Sequence, residues 1–187
     1  INEKATTEKL EAALFKKFGK PKNGKWIEFN HDFNIYVERV ALKDRDTKLE
    51  AVTEEIKTQL SGTRGIAHVF SGSDFAAGKL PAGQLEKQIK ATYFPGRSGD
   101  VVIIPKPFFA KEDDDAVTHL TGYSYDRMVP LIVAGPGVRP GKYATPAKVI
   151  DIAPTLAYLL NVMPPALSEG RVLSEALEHA GNTSRAR

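Results

Sequence analysis

An α/β fold is predicted, on three observations. Apolar residues recur at helical spacing near the start and again between positions 47 and 60. Short alternating or continuous apolar runs at 26–29, 35–37, 65–70 and 101–104 read as strands. Glycine, proline and asparagine clusters separate these segments. With 187 residues, the chain can form one domain or two closely packed lobes around a sizeable core.

The elements follow in order. Thr6 or Thr7 can cap an opening helix whose stripe is Leu10, Ala13, Leu14 and Phe18, and Gly19 and Pro21 stop it. Asn23-Gly24 is a turn. The run 26–29 alternates like a strand, 30–32 is turn-like, and 33–38 reads as its partner. Thr47-Lys48-Leu49-Glu50 has the form of a capping box, with Leu49, Val52, Ile56 and Leu60 as the buried face behind it and Gly62 at its end. A strand over 65–70 leads to a short helix or turn at Ser73-Asp74. The stretch 84–93 is helical with Leu85 and Ile89 inward, and 94–99 breaks it. The run 101–104 is a continuous apolar strand, the kind covered on both faces. These elements make a ferredoxin-like α+β lobe over 1–112. The polar run 111–115 is the best internal boundary. Over 113–187 the tail reads as loop, core strand at 129–134, loop, helix at 151–160, and a last helix from about Val172. The strands at 101–104 and 131–133 are expected side by side in one sheet.

Bulk properties exclude several function classes. Net charge is +3 with mixed signs along the chain, too mild a balance for nucleic acid. No cysteine is present, which removes disulfides and zinc–thiolate sites. No run is long or apolar enough to span a bilayer as a helix. Ile1-Asn2-Glu3-Lys4 is not a signal peptide, and a chain that opens without Met reads as a fragment.

Chemistry concentrates in 118–133, where His119 sits among small residues and Tyr123-Ser124-Tyr125-Asp126 follows. A lone loop histidine reads first as a hydrogen-bonded surface residue and second as a metal ligand. Its imidazole suits zinc, and Thr118 and Thr121 can hydrogen-bond around it. His31, His68 and His179 show no i, i+4 pairing and read as structural. Asp113, Asp114 and Asp115 lack the glycine and distal glutamate of a calcium loop. The glycines of 135–141 fit neither a P-loop nor a dinucleotide fingerprint. Asp151 reads as a helix N-cap, with Pro154 tolerated in the first turn.

The order of these parts, from Thr118-His119-Leu120-Thr121 through Tyr123-Ser124-Tyr125-Asp126 and the apolar run into Ala134-Gly135-Pro136-Gly137, then Asp151-Ile152-Ala153-Pro154-Thr155-Leu156, resembles the C-terminal end of the alkaline phosphatase superfamily. Its type I phosphodiesterase/nucleotide pyrophosphatase-like phosphatases are the most similar branch. The resemblance is specific from Thr118 to about Leu160 and loose before it. It implies the C-terminal part of an alkaline phosphatase-like α/β/α fold. It implies that His119 is a zinc ligand and that Asp126 braces its loop. Leu120 stands where the family usually has glycine. Arg97, in Pro95-Gly96-Arg97-Ser98-Gly99, matches another family element and reads as a salt bridge fixing the lobe, or as a group reaching phosphate.

The family reaction uses a threonine or serine nucleophile between two zinc ions and passes through a covalent phospho-enzyme. The remaining ligands lie upstream, the last of them in an Asp-His-Gly motif that does not occur here. No catalytic residue is therefore assigned to this chain. The resemblance implies a phosphate-ester substrate, an upstream half of the same polypeptide as partner, and a periplasmic or secreted setting. A sulfatase-like hydrolase of the same superfamily and a non-catalytic ferredoxin-like binding module are the alternatives.

Overall fold

The computed structural model describes residues 1–112 and 121–178. The chain divides into two compact units, Ile1–Met128 and Val129–Arg187. The polar run 113–115 lies outside the described residues.

The first unit opens with helix α1, Glu3–Phe18. Its cap is Asn2, not Thr6 or Thr7: the Asn2 Oδ1 accepts from Ala5 N at 2.7 Å. Both threonines lie inside the helix, and their hydroxyls donate to the carbonyls four residues back. Leu10 and Leu14 are fully buried. Strands β1 (Ile27–His31) and β2 (Asn34–Val37) form the expected hairpin. Its two central residues, Asp32 and Phe33, have φ of 49° and 63°, the left-handed pair of a tight hairpin turn. Buried Phe33 anchors that turn, and its carbonyl accepts from Ile103 N at 2.8 Å.

A short helix α2 follows at Arg39–Asp44, capped by the Glu38 side chain. Helix α3 is Leu49–Leu60. The capping box expected at Thr47 does not form. The helix starts after Lys48, and the Thr47 hydroxyl donates to the Arg45 carbonyl, closing the end of α2 instead. Strand β3 (Ile66–Ser71), helices α4 (Gly72–Ala76) and α5 (Gln84–Thr92), and strand β4 (Val101–Pro105) complete the lobe.

The sheet is antiparallel throughout, in the order β1-β2-β4-β3. A ferredoxin-like βαββαβ sheet has this order when its first strand is placed last in the chain. Strand β4 is internal, with Ile35↔Val101 on one side and Ser71↔Val101 on the other. Its residues alternate, Val101 and Ile103 buried and Val102 and Ile104 half-buried. The covered face meets Leu10, Leu14, Val52, Ile56 and Leu60 of α1 and α3 around Trp26. Each such side chain contributes about 1.5–3 kcal/mol by leaving water. Polar groups fix the register: the Glu11 carboxylate accepts from Trp26 N and Ile27 N, and Trp26 Nε1 donates to Gly19 O at 2.9 Å. The ion pair that fastens β4 is Arg39–Asp100 at 2.6 Å, while Asp100 also accepts from Val37 N.

In the second unit, the strand expected at 129–134 does not form. Its backbone has no ladder partner among the described residues, and Val129, Leu131 and Ile132 are exposed. Within the sheet of the first unit, β4 has β2 and β3 as its neighbours. An apolar run becomes a strand only where another strand meets its N–H and C=O groups.

Helix α7 spans Ile152–Leu159 and follows a 3-10 turn at Val149–Asp151. Asp151 precedes the helix, but its carboxylate does not cap it. Lys148 N and Arg171 N donate to it at 2.8 and 2.9 Å, which joins the turn to the segment around 170. The Thr155 hydroxyl donates to Asp151 O at 2.6 Å and accepts from Leu173 N at 3.1 Å. Gly170 is required by this closeness, because a Cβ there would stand 2.1 Å from Ile150 O. In place of the helix expected from Val172 there is one 3-10 turn, Ser174–Ala176, after which Leu177 bridges Val138. His179 and the residues from Asn182 lie outside the described residues.

Candidate functional site

The candidate site is the segment entering and leaving Tyr123-Ser124-Tyr125-Asp126. His119 and Thr118 lie outside the described residues, as does Leu120. Thr121 and Asp126 are described. The Asp126 carboxylate accepts from Thr121 N at 3.1 Å and from the Thr121 hydroxyl. Between them the chain turns: Tyr123 N donates to Thr121 Oγ1, Asp126 N to Tyr123 O, and Met128 N to Ser124 O. The result is a single helical turn, α6, at Ser124–Arg127. A carboxylate that takes both the amide and the hydroxyl of one residue holds the two ends of a tight turn together.

The two tyrosines fasten this turn to the rest of its unit. Tyr123 Oη donates to Pro105 O, the last carbonyl of β4, at 2.8 Å. Burial, and then the neighbouring Tyr125, push the Tyr123 phenol above its usual range, so it stays a donor through neutral pH. Tyr125 Oη accepts from Phe108 N at 2.8 Å, and its ring stacks on Phe108 at 4.8 Å and on Tyr123 at 5.6 Å. The internal strand of the sheet thereby sets where the segment begins. The spacing of the tyrosines was visible in the sequence, but their partners at 105 and 108 were not.

Arg97 makes no salt bridge among the described residues. Its guanidinium lies over the Phe94 ring at 4.0 Å, and its backbone carbonyl accepts from Tyr36 Oη. The ion pair expected of it is made by Arg39 with Asp100. His31 lies beside Asp32 and Glu3 at the hairpin, and His68 stacks on Phe70.

Another ionic cluster lies where β3 enters α4. Asp74 accepts from Ser71 N and the Ser71 hydroxyl and pairs with Lys57 at 2.6 Å. Burial opposes its ionisation, but the Lys57 ammonium and the two Ser71 donors outweigh that and hold the carboxyl below its usual value. This satisfied cluster joins α3 to α4. Among the described residues, no group of three or more His, Cys, Asp or Glu could hold a metal ion. By themselves they therefore do not provide a two-zinc site.

No protein-family model matches the chain. Among curated proteins it is similar to alkaline phosphatase PafA of Elizabethkingia meningoseptica, at 27% identity over 90% of this chain and 30% of that protein. It is 31% identical to alkaline phosphatase PhoD of Zymomonas mobilis over 71% of the chain and 24% of the relative. A protein of Myroides odoratus named as a calcium-transporting ATPase is 28% identical over 94% of the chain and 32% of its own length. The crystal structure of wild-type PafA superposes with a TM-score of 0.80 at 26% identity, covering 95% of this chain and 34% of that one. The chain belongs to the alkaline phosphatase superfamily. It corresponds to C-terminal parts of these relatives and spans about a third or less of their length. The α/β fold expected from the sequence is the fold that PafA shares with it over 95% of this chain. No helix among the described residues is long and apolar enough to cross a membrane.

Proposed function

We propose that this chain is the C-terminal part of a metal-dependent phosphate-ester hydrolase, with His119 as one ligand of a zinc pair. The observation that carries the reading is the match to phosphatases along nearly the whole chain in both sequence and fold. The nucleophile, the other ligands and the substrate pocket would come from the upstream half of the polypeptide. On this reading the chain alone is inactive, because one imidazole is too few ligands to hold a metal tightly. The phosphodiesterase/nucleotide pyrophosphatase-like branch is the finer assignment, supported by the run from Thr118 to Leu160, and a periplasmic or secreted setting goes with it.

The test uses the full-length protein. With p-nitrophenyl phosphate and its bis ester as substrates, His119→Ala should lower zinc content and cut turnover by about a hundredfold. Full zinc content with near-normal turnover in that variant would remove the residue-level support. The ratio of activities on the two substrates decides between monoester and diester preference. Zinc-dependent turnover by the isolated chain would contradict the assignment of nucleophile and ligands to the upstream half.

A further inference from the structure

Helix α5 meets the candidate segment at Gln88. The chemistry of its neighbours assigns the orientation of the Gln88 amide: with the nitrogen turned to the Gly122 carbonyl it donates at 2.6 Å, and the oxygen then accepts from both terminal guanidinium nitrogens of Arg127 at 3.1 Å. One amide thus reaches both ends of the turn, Gly122 before α6 and Arg127 as its last residue. The approach at Gly122 is close, since a Cβ there would come within 2.9 Å of the end of the Gln88 side chain. Ile89, the next residue of α5, is buried and fixes the helix from which Gln88 projects.

We infer that Gln88 is a positioning residue for the Thr121–Arg127 segment, which follows His119 in the chain. The inference rests on the proposed role of His119. Tyr123 and Tyr125 tie the segment to the end of β4 and to Phe108, and Asp126 closes it on itself. Among the described residues, Gln88 is the α5 side chain hydrogen-bonded to this segment. Arg127 and its neighbours Ser124, Tyr125 and Met128 are exposed, so the contact adds little to the core that surrounds Trp26. Its effect is on where the segment sits. An amide suits this role: it offers a donor to the carbonyl and an acceptor to the guanidinium from one rigid plane, which neither a carboxylate nor a hydrocarbon does.

The experiment compares Gln88→Met, Arg127→Met, the double variant and Gln88→Glu in the full-length protein. Measured on each are hydrogen exchange of the peptide spanning 121–128, kcat and KM on p-nitrophenyl phosphate, and the melting temperature. Gln88→Met should speed exchange in that peptide and lower kcat by about tenfold or more, with KM and melting temperature nearly unchanged. Arg127→Met should act in the same direction, and the double variant should be no worse than the more severe single one, because the two side chains act as a unit. Gln88→Glu keeps an acceptor for Arg127 and should recover part of the loss. Unchanged exchange and kcat in Gln88→Met would overturn the inference, as would a loss that only follows a fall in melting temperature. If Gln88→Met has no effect while His119→Ala abolishes metal binding, this inference alone fails. If His119→Ala is active, the functional reading fails, and the exchange result still decides whether Gln88 holds the segment.

Discussion

Thr155→Val in the second unit tests the joint between α7 and the segment around 170. Valine matches threonine in shape and removes one oxygen. That oxygen is buried, donates to Asp151 O at 2.6 Å and accepts from Leu173 N at 3.1 Å. Asp151 O precedes α7 and keeps access to the backbone amide four residues on. The Leu173 amide has no such alternative and would be left buried and unpaired. An orphaned buried donor costs about 1–3 kcal/mol, so a loss of about 2 kcal/mol is expected. Thr155→Ser keeps both bonds and loses only a methyl group, a loss of about 1 kcal/mol or less. Because the chain divides into two compact units, a global melt is a poor reporter of this one joint. Hydrogen exchange at Leu173 is the direct assay, and about 2 kcal/mol corresponds to roughly thirtyfold faster exchange. Leu173 exchange in Thr155→Val that equals that of Thr155→Ser would refute the reasoning and show that the hydroxyl does not close the joint.

Gly170→Ala should destabilise the second unit by about 1–3 kcal/mol, since the added methyl meets the Ile150 carbonyl rather than a movable side chain; exchange at the Arg171 amide checks it. Leu14→Ala should lower the stability of the first unit by about 2–5 kcal/mol in urea, read from Trp26 fluorescence, because the site lies inside the core against α3 and the sheet. Acid should weaken the first unit. Lys17, then Gln59, hold Glu55 below its ordinary 4.5, and Lys57 with Ser71 hold Asp74 below its ordinary 3.8 despite burial. Between the ordinary and the lowered values the unfolded chain binds more protons than the folded one. The stability these carboxylates add is therefore complete above the ordinary values and is lost as pH falls through the lowered ones. Lys57→Met should shrink the Asp74 part of that acid limb in urea melts taken between pH 2 and 6, and an unaltered limb would contradict the pairing.

Much of the first lobe was legible because its elements follow local rules. The stripe of Leu10 and Leu14, the hairpin and the apolar run at β4 each announce themselves within a few residues, although the hairpin turns at Asp32-Phe33 rather than over the expected 30–32. Misreadings arose where two local signals competed for one residue. Thr47 followed by Glu50 has the form of a cap, yet α2 ends just before it and takes its hydroxyl. Helix α2 itself was not legible, because six residues show too little periodicity to separate from a loop. Asp151 looked like a cap for the same kind of reason. Its actual partner, Arg171 N, is twenty residues away, and spacing along the chain cannot show such a bond. The run 129–134 shows the converse: the residues suit a strand, but a strand is made by its neighbour. At the candidate segment the residue types were legible. What was not is the set of contacts from Pro105, Phe108 and Gln88, which exist only once β4 and α5 are in place.

The position of β4 in the sheet has a consequence for how the first unit assembles. This strand comes last in the chain order yet lies between β2 and β3, and it pairs with residues more than sixty positions earlier. Until it arrives, β2 and β3 have no strand between them, and the hairpin with its helices must wait as a half-built layer. Such long-range closure is slow in general, and it leaves apolar strand edges open in the meantime. A ribosome must finish β4 before the sheet can close. Chains cut short before Val101 would then present two unsatisfied edges at once, and their fate would be aggregation or degradation rather than a smaller stable domain.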